Sequence, residues 1–133
     1  MEQEATHVPV VVIVEDDQEQ RHLMVALLEE TNLQVFDVDS AEQALNYLRQ
    51  RADRVALVFT EIGLPCLMDG AGLACAIQAN WPWITILVVS ENALADRPSS
   101  ATYMMKPWRA LDVLVQADRA SKRHRDYHHG MAA

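Results

Sequence analysis

The sequence has few of the residues that stabilise small extracellular domains or that line a nucleic-acid interface. Only two of its 133 residues are cysteines, which excludes a disulfide framework and a cysteine-rich metal site. These thiols, Cys66 and Cys75, stand among apolar residues, and we expect them to be buried or half-buried. Basic residues number 11 against 19 acidic residues, which gives a net charge of -8. Because phosphates must be neutralised by lysine and arginine, we expect no direct nucleic-acid partner.

Long apolar segments are also absent from the sequence. The run Val8–Val14 is too short to span a bilayer. The residues before it include Glu2 and Glu4 instead of the basic residues that open a secretion signal. We therefore expect a cytoplasmic protein without membrane association.

The residues that are present have the composition of one globular domain, with 50% apolar and 23% charged residues. Short β-branched runs alternate with segments of helical periodicity. The expected strands are Val10–Val14, Gln34–Val38, Val55–Thr60, Thr85–Val89 and Tyr103–Met105. The expected helices are Gln18–Glu30, a segment opened by Ser40, Ala71–Trp81 and Leu111–Arg123. Strands that alternate with helices predict a parallel sheet covered by helices on both faces.

Two of the expected helices carry further local signals. Ser40, followed three residues later by Gln43, forms a capping-box pattern. In the last helix, Leu111, Leu114 and Val115 are expected to face the core. These positions predict where one helix begins and which face of another is buried.

Two segments near the C-terminus depart from the regular alternation. The connection Glu91–Thr102 contains a proline and two adjacent serines, so we expect a loop or at most one helical turn there. The polar stretch Lys122–Ala133 is expected to fray. Because His124, His128 and His129 belong to that stretch, they are interpreted as tail residues and not as metal ligands or relay groups.

Chemically reactive side chains follow the expected strands at their carboxyl ends. They are the acids Glu15, Asp16, Asp17 and Glu61, the hydroxyl of Ser90 and the ammonium of Lys106. Because ligands bind beyond the carboxyl ends of parallel strands, we expect these groups to form one site. Singly, each has a plainer explanation as a helix-start charge, a turn residue or a solvated lysine. Crowded carboxylates repel one another unless a cation intervenes, so we expect Lys106 to pair with an acid, with Glu61 as the first candidate, or Mg²⁺ to bind.

Five separated motifs surround these positions. They are V-I-V-E-D-D-Q at 12–18, F-T-E-I-G-L-P at 59–65, M-D-G at 68–70, V-V-S at 88–90 and Y-M-M-K-P-W at 103–108. Together they resemble the receiver domain of two-component response regulators. The resemblance implies a flavodoxin-like (βα)₅ fold with a doubly wound five-stranded parallel sheet, here with the fourth helix shortened or missing. It places the receiver domain at residues 8–121 and a short polar tail at residues 122–133.

The resemblance also implies a metal site. In the family, two acids after the first strand help to hold Mg²⁺, and these positions match Glu15 and Asp16. The residue at the end of the third strand, here Glu61, contributes as well. The backbone carbonyl two residues later is a further ligand, which in this sequence belongs to Gly63.

The same resemblance implies a phosphoryl-transfer site. The family has an aspartate at the position of Glu61, and this aspartate accepts a phosphoryl group from a histidine kinase. Ser90 matches the hydroxyl that contacts the phosphoryl oxygens, and Lys106 matches the lysine that pairs with them. Tyr103 matches an aromatic residue that acts as a rotameric switch. Mg²⁺ and the lysine offset the charge that gathers on the phosphoryl oxygens.

The acceptor position is the main departure from the family pattern, because it holds Glu61 instead of aspartate. One extra methylene moves the carboxylate by about 1 Å, and such a displacement can cost about 10²-fold in rate. We therefore expect a stand-alone atypical receiver domain that is not an enzyme and acts by contact with a histidine kinase or another signalling protein. Mg²⁺ binding is expected to be weak or absent, because magnesium demands near-octahedral geometry.

Several alternatives stay open on the sequence alone. Glu61 either mimics the phosphorylated state, by reaching Lys106 or Ser90, or marks a degenerate site. A different function would be a receiver that accepts phosphate on Glu61 from a histidine kinase with Mg²⁺. A flavodoxin-type FMN carrier is disfavoured, because its phosphate would meet the acids Glu15, Asp16 and Asp17 after the first strand.

Overall fold

The structure is a computed structural model that describes residues 8–61, 70–90 and 101–132. Five parallel strands form one sheet in the order β2-β1-β3-β4-β5. The strands are β1 (Val10–Val14), β2 (Gln34–Val38), β3 (Val55–Glu61), β4 (Thr85–Ser90) and β5 (Thr102–Met105). The helices are α1 (Gln18–Leu28), α2 (Ala41–Arg51), α3 (Gly70–Asn80) and α4 (Ala110–Ala132). This strand order is that of the flavodoxin-like doubly wound fold, which confirms the expected fold class.

The sheet is covered on both faces because its central strands are apolar throughout. All five residues of β1 are buried, and alternate residues point into two separate cores. Val12 lies in the core that α2 and α3 cover, and Ile13 lies in the core that α1 and α4 cover. The continuous apolar runs of the sequence therefore mark strands that are buried on both sides.

Side-chain caps begin the first two helices. Asp17 precedes α1 and accepts hydrogen bonds from the backbone N–H groups of Glu19 and Gln20. Ser40 precedes α2, and its Oγ accepts from the N–H of Gln43 at 3.2 Å. The capping pattern is thus confirmed on the Ser40 side, whereas the Gln43 side chain accepts from the N–H of the preceding Asp39.

The predicted inward face of the last helix is wrong at Leu111 and Val115, whereas Leu114 is half-buried. Leu111 is 68% exposed and Val115 is 39% exposed. The buried positions on α4 are Val113, Ala117 and Ala120. The small side chains of Ala117 and Ala120 let the helix lie close to the sheet, and Leu111 and Val115 face solvent.

The prediction that the C-terminal stretch frays is also wrong for residues 122–132, because α4 continues to Ala132. Arg123 donates from Nη2 to the carbonyl of Pro82 at 2.8 Å, and the Tyr127 ring lies 5.5 Å from that of Trp83. These tertiary contacts therefore stabilise the C-terminal part of α4, which its polar sequence alone predicted to fray. Cys75 is likewise exposed instead of half-buried, because it lies on the outer face of α3.

Some predictions fall outside the described residues. They concern the connection at 91–100, and with it the fourth helix, as well as Cys66 and Gly63 in the loop after β3. Among the described helices, none combines the length and apolarity that a membrane crossing requires.

Candidate functional site

The parallel register brings the predicted site residues to one edge of the sheet. Glu15 follows β1, Glu61 ends β3, and Ser90 ends β4. Glu61 pairs in register with Val89 beside Ser90, and the backbone N–H of Lys106 donates to the Ser90 carbonyl at 2.8 Å. Four reactive side chains from four strand ends therefore meet at the carboxyl edge, as the sequence predicted.

The central contact of this edge is an ion pair between Glu61 and Lys106. Lys106 Nζ lies 2.8 Å from Glu61 Oε1, which confirms the predicted pairing. The side chains are 15% exposed for Glu61 and 26% for Lys106, so water screens this pair less than an ordinary surface salt bridge. The pair is a short charge-assisted hydrogen bond in a partly dry site.

Glu15 lies on the other side of Glu61 and is only 4% exposed. Burial raises the pKa of Glu15 to about 7, although the N–H of Asp17, which donates to its Oε2 at 3.1 Å, acts in the opposite direction. The neighbouring Glu61 carboxylate raises the pKa further and hydrogen-bonds with Glu15. Of two bonded carboxyls one must carry the proton, and burial assigns it to Glu15. The Glu61 carboxylate thus lies between two donors, Lys106 and a protonated Glu15.

The remaining acids of the first loop have different environments. Asp17 caps α1, so its plainer interpretation as a helix-start residue is confirmed. Asp16 is exposed. Arg21 stabilises the loop itself, because it donates from Nη1 to the Glu15 carbonyl at 2.8 Å and from Nε to Asp37 at 3.1 Å.

Sequence reasoning missed Arg21, although a weak signal was available. The first turn of a helix favours acidic residues, because the helix dipole is positive there. A basic residue one turn after the Asp17 cap opposes this preference. Its position therefore pointed to a specific partner, which the structure identifies as the loop carbonyl and Asp37.

These residues, as arranged, do not fit a magnesium site. Among residues 8–61, 70–90 and 101–132, no three His, Cys, Asp or Glu side chains come together as a ligand set. Glu61 is bonded to Lys106, and burial raises the pKa of Glu15 to about 7, which disfavours its ionised form. Magnesium takes carboxylate oxygens as ligands in near-octahedral geometry, and here the Glu61 and Glu15 carboxyls are already bonded to Lys106 and to each other. Weak or absent Mg²⁺ binding remains a prediction.

Tyr103 and Ser90 complete the edge. Ser90 is 5% exposed at the end of β4. The Tyr103 ring packs against the core that α2 and α3 cover, and its hydroxyl oxygen is buried. The aromatic side chain is therefore directed inward in this structure.

Comparison with known proteins agrees with this geometry. The family model of the response regulator receiver domain matches residues 11–114. No curated protein matches the chain.

Solved structures give the same fold at low sequence identity. A CheY-like receiver domain protein from Methanospirillum hungatei JF-1 is 21% identical with a TM-score of 0.80 over 90% of this chain and 98% of its own. A signal receiver domain of an HD domain-containing protein from Pseudomonas fluorescens Pf-5 is 22% identical with a TM-score of 0.79 over 90% and 98%. A receiver domain protein from Clostridium thermocellum is 19% identical with a TM-score of 0.79 over 89% and 98%.

The family match covers most of the chain and includes all four strand ends that carry the site, and the fold is the one those structures share. It removes the FMN-carrier alternative, because that alternative belongs to a different family of the same architecture. The chain belongs to the response regulator receiver domains of two-component signal transduction.

Proposed function

We propose that this receiver domain signals by protein–protein contact without accepting a phosphoryl group. The observation that carries the proposal is the 2.8 Å ion pair of Glu61 with Lys106. In the family pattern, an aspartate occupies the first position and the lysine pairs with its phosphoryl group. Here the carboxylate itself bonds the lysine.

The bonding of Glu61 works against its use as a nucleophile. An attacking carboxylate needs a lone pair directed at the phosphorus, in line with the leaving oxygen. Lys106 and Glu15 each bond this carboxylate and stabilise it. Because both contacts must loosen before attack, they add to the barrier created by the extra methylene.

The same bonding supports a partial resemblance to a phosphorylated receiver. A phosphoryl group carries about two negative charges and three acceptor oxygens, whereas a carboxylate carries one charge and two oxygens. Glu61 therefore supplies part of what the phosphoryl group would supply to Lys106, without a kinase. The inward ring of Tyr103 is consistent with such a fixed state.

The partner of such a domain would be a histidine kinase or another signalling protein in the cytoplasm, with no direct nucleic-acid contact. The net charge of -8 supports the last point, since a phosphate backbone would be repelled. The partner is expected to recognise a surface of the receiver domain that stays the same whether or not a phosphodonor is present.

Mass spectrometry after incubation with acetyl phosphate and Mg²⁺ tests the proposal. The wild type is expected to gain no phosphoryl mass, and Glu61→Asp is expected to gain one on the new aspartate. The matched control is Glu61→Gln, which has the length of the wild type without the charge and must remain unlabelled. Labelling of wild-type Glu61 would overturn the proposal and establish the phosphoaccepting function instead.

Partner affinity then separates a mimic from a degenerate site. If Glu61 acts as a mimic, Glu61→Asp weakens partner binding until phosphodonor is added. If the site is degenerate, the same substitution leaves partner affinity unchanged while phosphate labelling returns.

A further inference from the structure

A second cluster of ionisable side chains lies at the opposite end of the sheet, where β1 and β3 begin. A cavity of about 510 Å³ opens there between the sheet and α4. It is lined by residues that include Val8, Asp53, Arg54, His124, His128 and His129. None of the residues that line this cavity belongs to the site at the carboxyl edge of the sheet, so the two sites are chemically independent.

Two histidines of α4 lie side by side on this cavity. His124 and His128 are four residues apart, which places them on one helix face. Their ring centroids are 4.3 Å apart. The His128 ring also meets the Trp83 ring edge-on at 5.3 Å, and Trp83 donates from Nε1 to the Ala52 carbonyl at 2.9 Å. The histidine pair is therefore packed in place and not part of a loose tail.

Each ring uses one nitrogen on a backbone carbonyl. His124 Nε2 lies 2.8 Å from the Asp53 carbonyl, and His128 Nδ1 lies 2.9 Å from the His124 carbonyl. A carbonyl only accepts hydrogen bonds, so both of these ring nitrogens carry the proton. In the neutral imidazole the other nitrogen is then a lone-pair donor to a ligand. These donors are Nδ1 of His124 and Nε2 of His128.

We propose that His124 Nδ1 and His128 Nε2 bind one divalent first-row transition-metal ion, with water at the remaining positions. Imidazole suits zinc, copper and nickel. Metal-bound histidines characteristically donate their second ring N–H to a carbonyl or carboxylate, which fixes the tautomer and the ring orientation. Both histidines here already make that second bond.

The hydrogen bonds favour a cation over an anion at this pair, because each ring donates to a carbonyl through one nitrogen and keeps a lone pair on the other. Burial lowers the pKa of the His124 imidazole, and the neighbouring His128 lowers it further, although the Asp53 carbonyl acts in the opposite direction. This environment favours the neutral His124 imidazole, the form in which histidine binds a metal. Within the described part of the chain no third His, Cys, Asp or Glu side chain joins them, so water supplies the other ligands.

Nickel titration of the tag-free full-length protein tests the proposal. Ni²⁺ bound at His128 would lie beside Trp83, so quenching of tryptophan fluorescence reports binding, and calorimetry gives the stoichiometry. The variants are His124→Gln and His128→Gln. The matched control is His22→Gln, since His22 is an exposed histidine on α1. Circular dichroism establishes that each variant is folded.

The proposal expects saturable binding of one Ni²⁺ per chain, with affinity lowered at least about tenfold in either variant and unchanged in His22→Gln. Zn²⁺ should raise the melting temperature of the wild type and not that of the double variant. Wild-type affinity in the folded double variant would overturn the proposal. An absence of saturable Ni²⁺ binding would also overturn it. The same holds if inorganic phosphate, and not a metal ion, raises the melting temperature of the wild type but not that of the double variant.

Discussion

The two ends of the sheet differ in whether their ionisable side chains already bond one another. At the carboxyl end, Glu61 bonds Lys106 at 2.8 Å and also bonds Glu15. At the amino end, His124 and His128 bond backbone carbonyls through one nitrogen each. At the carboxyl end, the acidic and basic side chains bond one another. At the amino end, each histidine keeps one ring-nitrogen lone pair that does not bond the backbone. From the residue types alone, a metal site would be expected at the carboxyl end, because that end has the acids that usually bind a metal.

The difference shows that the neighbours of a group decide its chemistry more than its type. An ammonium 2.8 Å from a carboxylate favours its charged form and competes with a metal ion for its oxygens. A histidine whose N–H is held by a carbonyl is a good metal ligand. The following substitutions test this contrast, in order of decreasing expected effect.

Lys106→Met should have the largest effect, because it leaves two adjacent carboxyls without their cation. We expect a loss of about 1–3 kcal/mol in the free energy of unfolding at pH 7, below the 3–5 kcal/mol of a fully buried pair. The loss should be smaller at pH 5, where the protonated Glu15 no longer repels the Glu61 carboxylate. Urea denaturation at the two pH values measures it.

The matched control for that substitution is Lys122→Met. Lys122 pairs with Asp118 at 3.1 Å, but both side chains are more than half exposed. We expect a change below about 0.5 kcal/mol. An equal loss for Lys106→Met at both pH values would argue against the pairing with Glu61.

Ala117→Leu tests the corrected face of α4. Ala117 is 2% exposed, so a larger side chain has no space and should cost about 1–3 kcal/mol. Leu111→Ala, on the face that is 68% exposed, is the matched control and should cost less than about 0.5 kcal/mol. Thermal unfolding of both variants decides whether the alanine face or the leucine face meets the sheet.

Glu15→Gln tests the protonation of the carboxyl end. The pKa of Glu15 rises from 4.5 to about 7 on folding, so the folded state binds the proton more tightly. Its contribution to stability is therefore complete below pH 4.5 and is lost as the pH rises to 7. The variant should lack this part of the pH dependence, and its free energy of unfolding should exceed that of the wild type by about 1–2 kcal/mol at pH 8.

Exposed Glu29 provides the control for this experiment. Glu29→Gln should leave the slope of stability against pH unchanged between pH 5 and pH 8. A wild-type slope that survives in Glu15→Gln would show that another group titrates in this range.

Arg21→Met should have the smallest effect. It removes the bonds to the Glu15 carbonyl and Asp37, and we expect a loss of about 1 kcal/mol. Arg49, which is exposed on α2, is the control position. Amide hydrogen exchange at Asp16 and Asp17 should accelerate in Arg21→Met and not in Arg49→Met.

The strands were predictable because buried parallel strands are continuous apolar runs. The predicted Val10–Val14 agrees with β1, and the predicted Val55–Thr60 ends one residue before β3 does. The meeting of Glu61 with Lys106 was predictable for a related reason, since strand ends of a parallel sheet share one edge. Local periodicity and topology were sufficient for these features.

The errors concern features that depend on tertiary contacts. The α4 face was mispredicted because large apolar residues such as Leu111 outweighed Ala117 and Ala120 in the pattern. Near the end of α4, Tyr127 and His128 contact Trp83, far away in the sequence, and no local signal reports that contact. The proton on Glu15 likewise follows from burial, which composition does not show.

The most direct test of the central claim is the response of the wild-type amide spectrum to phosphodonor. ¹H–¹⁵N spectra are recorded with Mg²⁺ alone and with Mg²⁺ and acetyl phosphate. We predict that the amides of Ser90, Tyr103 and Lys106 keep their positions in the wild type and shift in Glu61→Asp. Shifts of these amides in the wild type that require both Mg²⁺ and acetyl phosphate would contradict the claim that Glu61 and Lys106 close the site to phosphorylation.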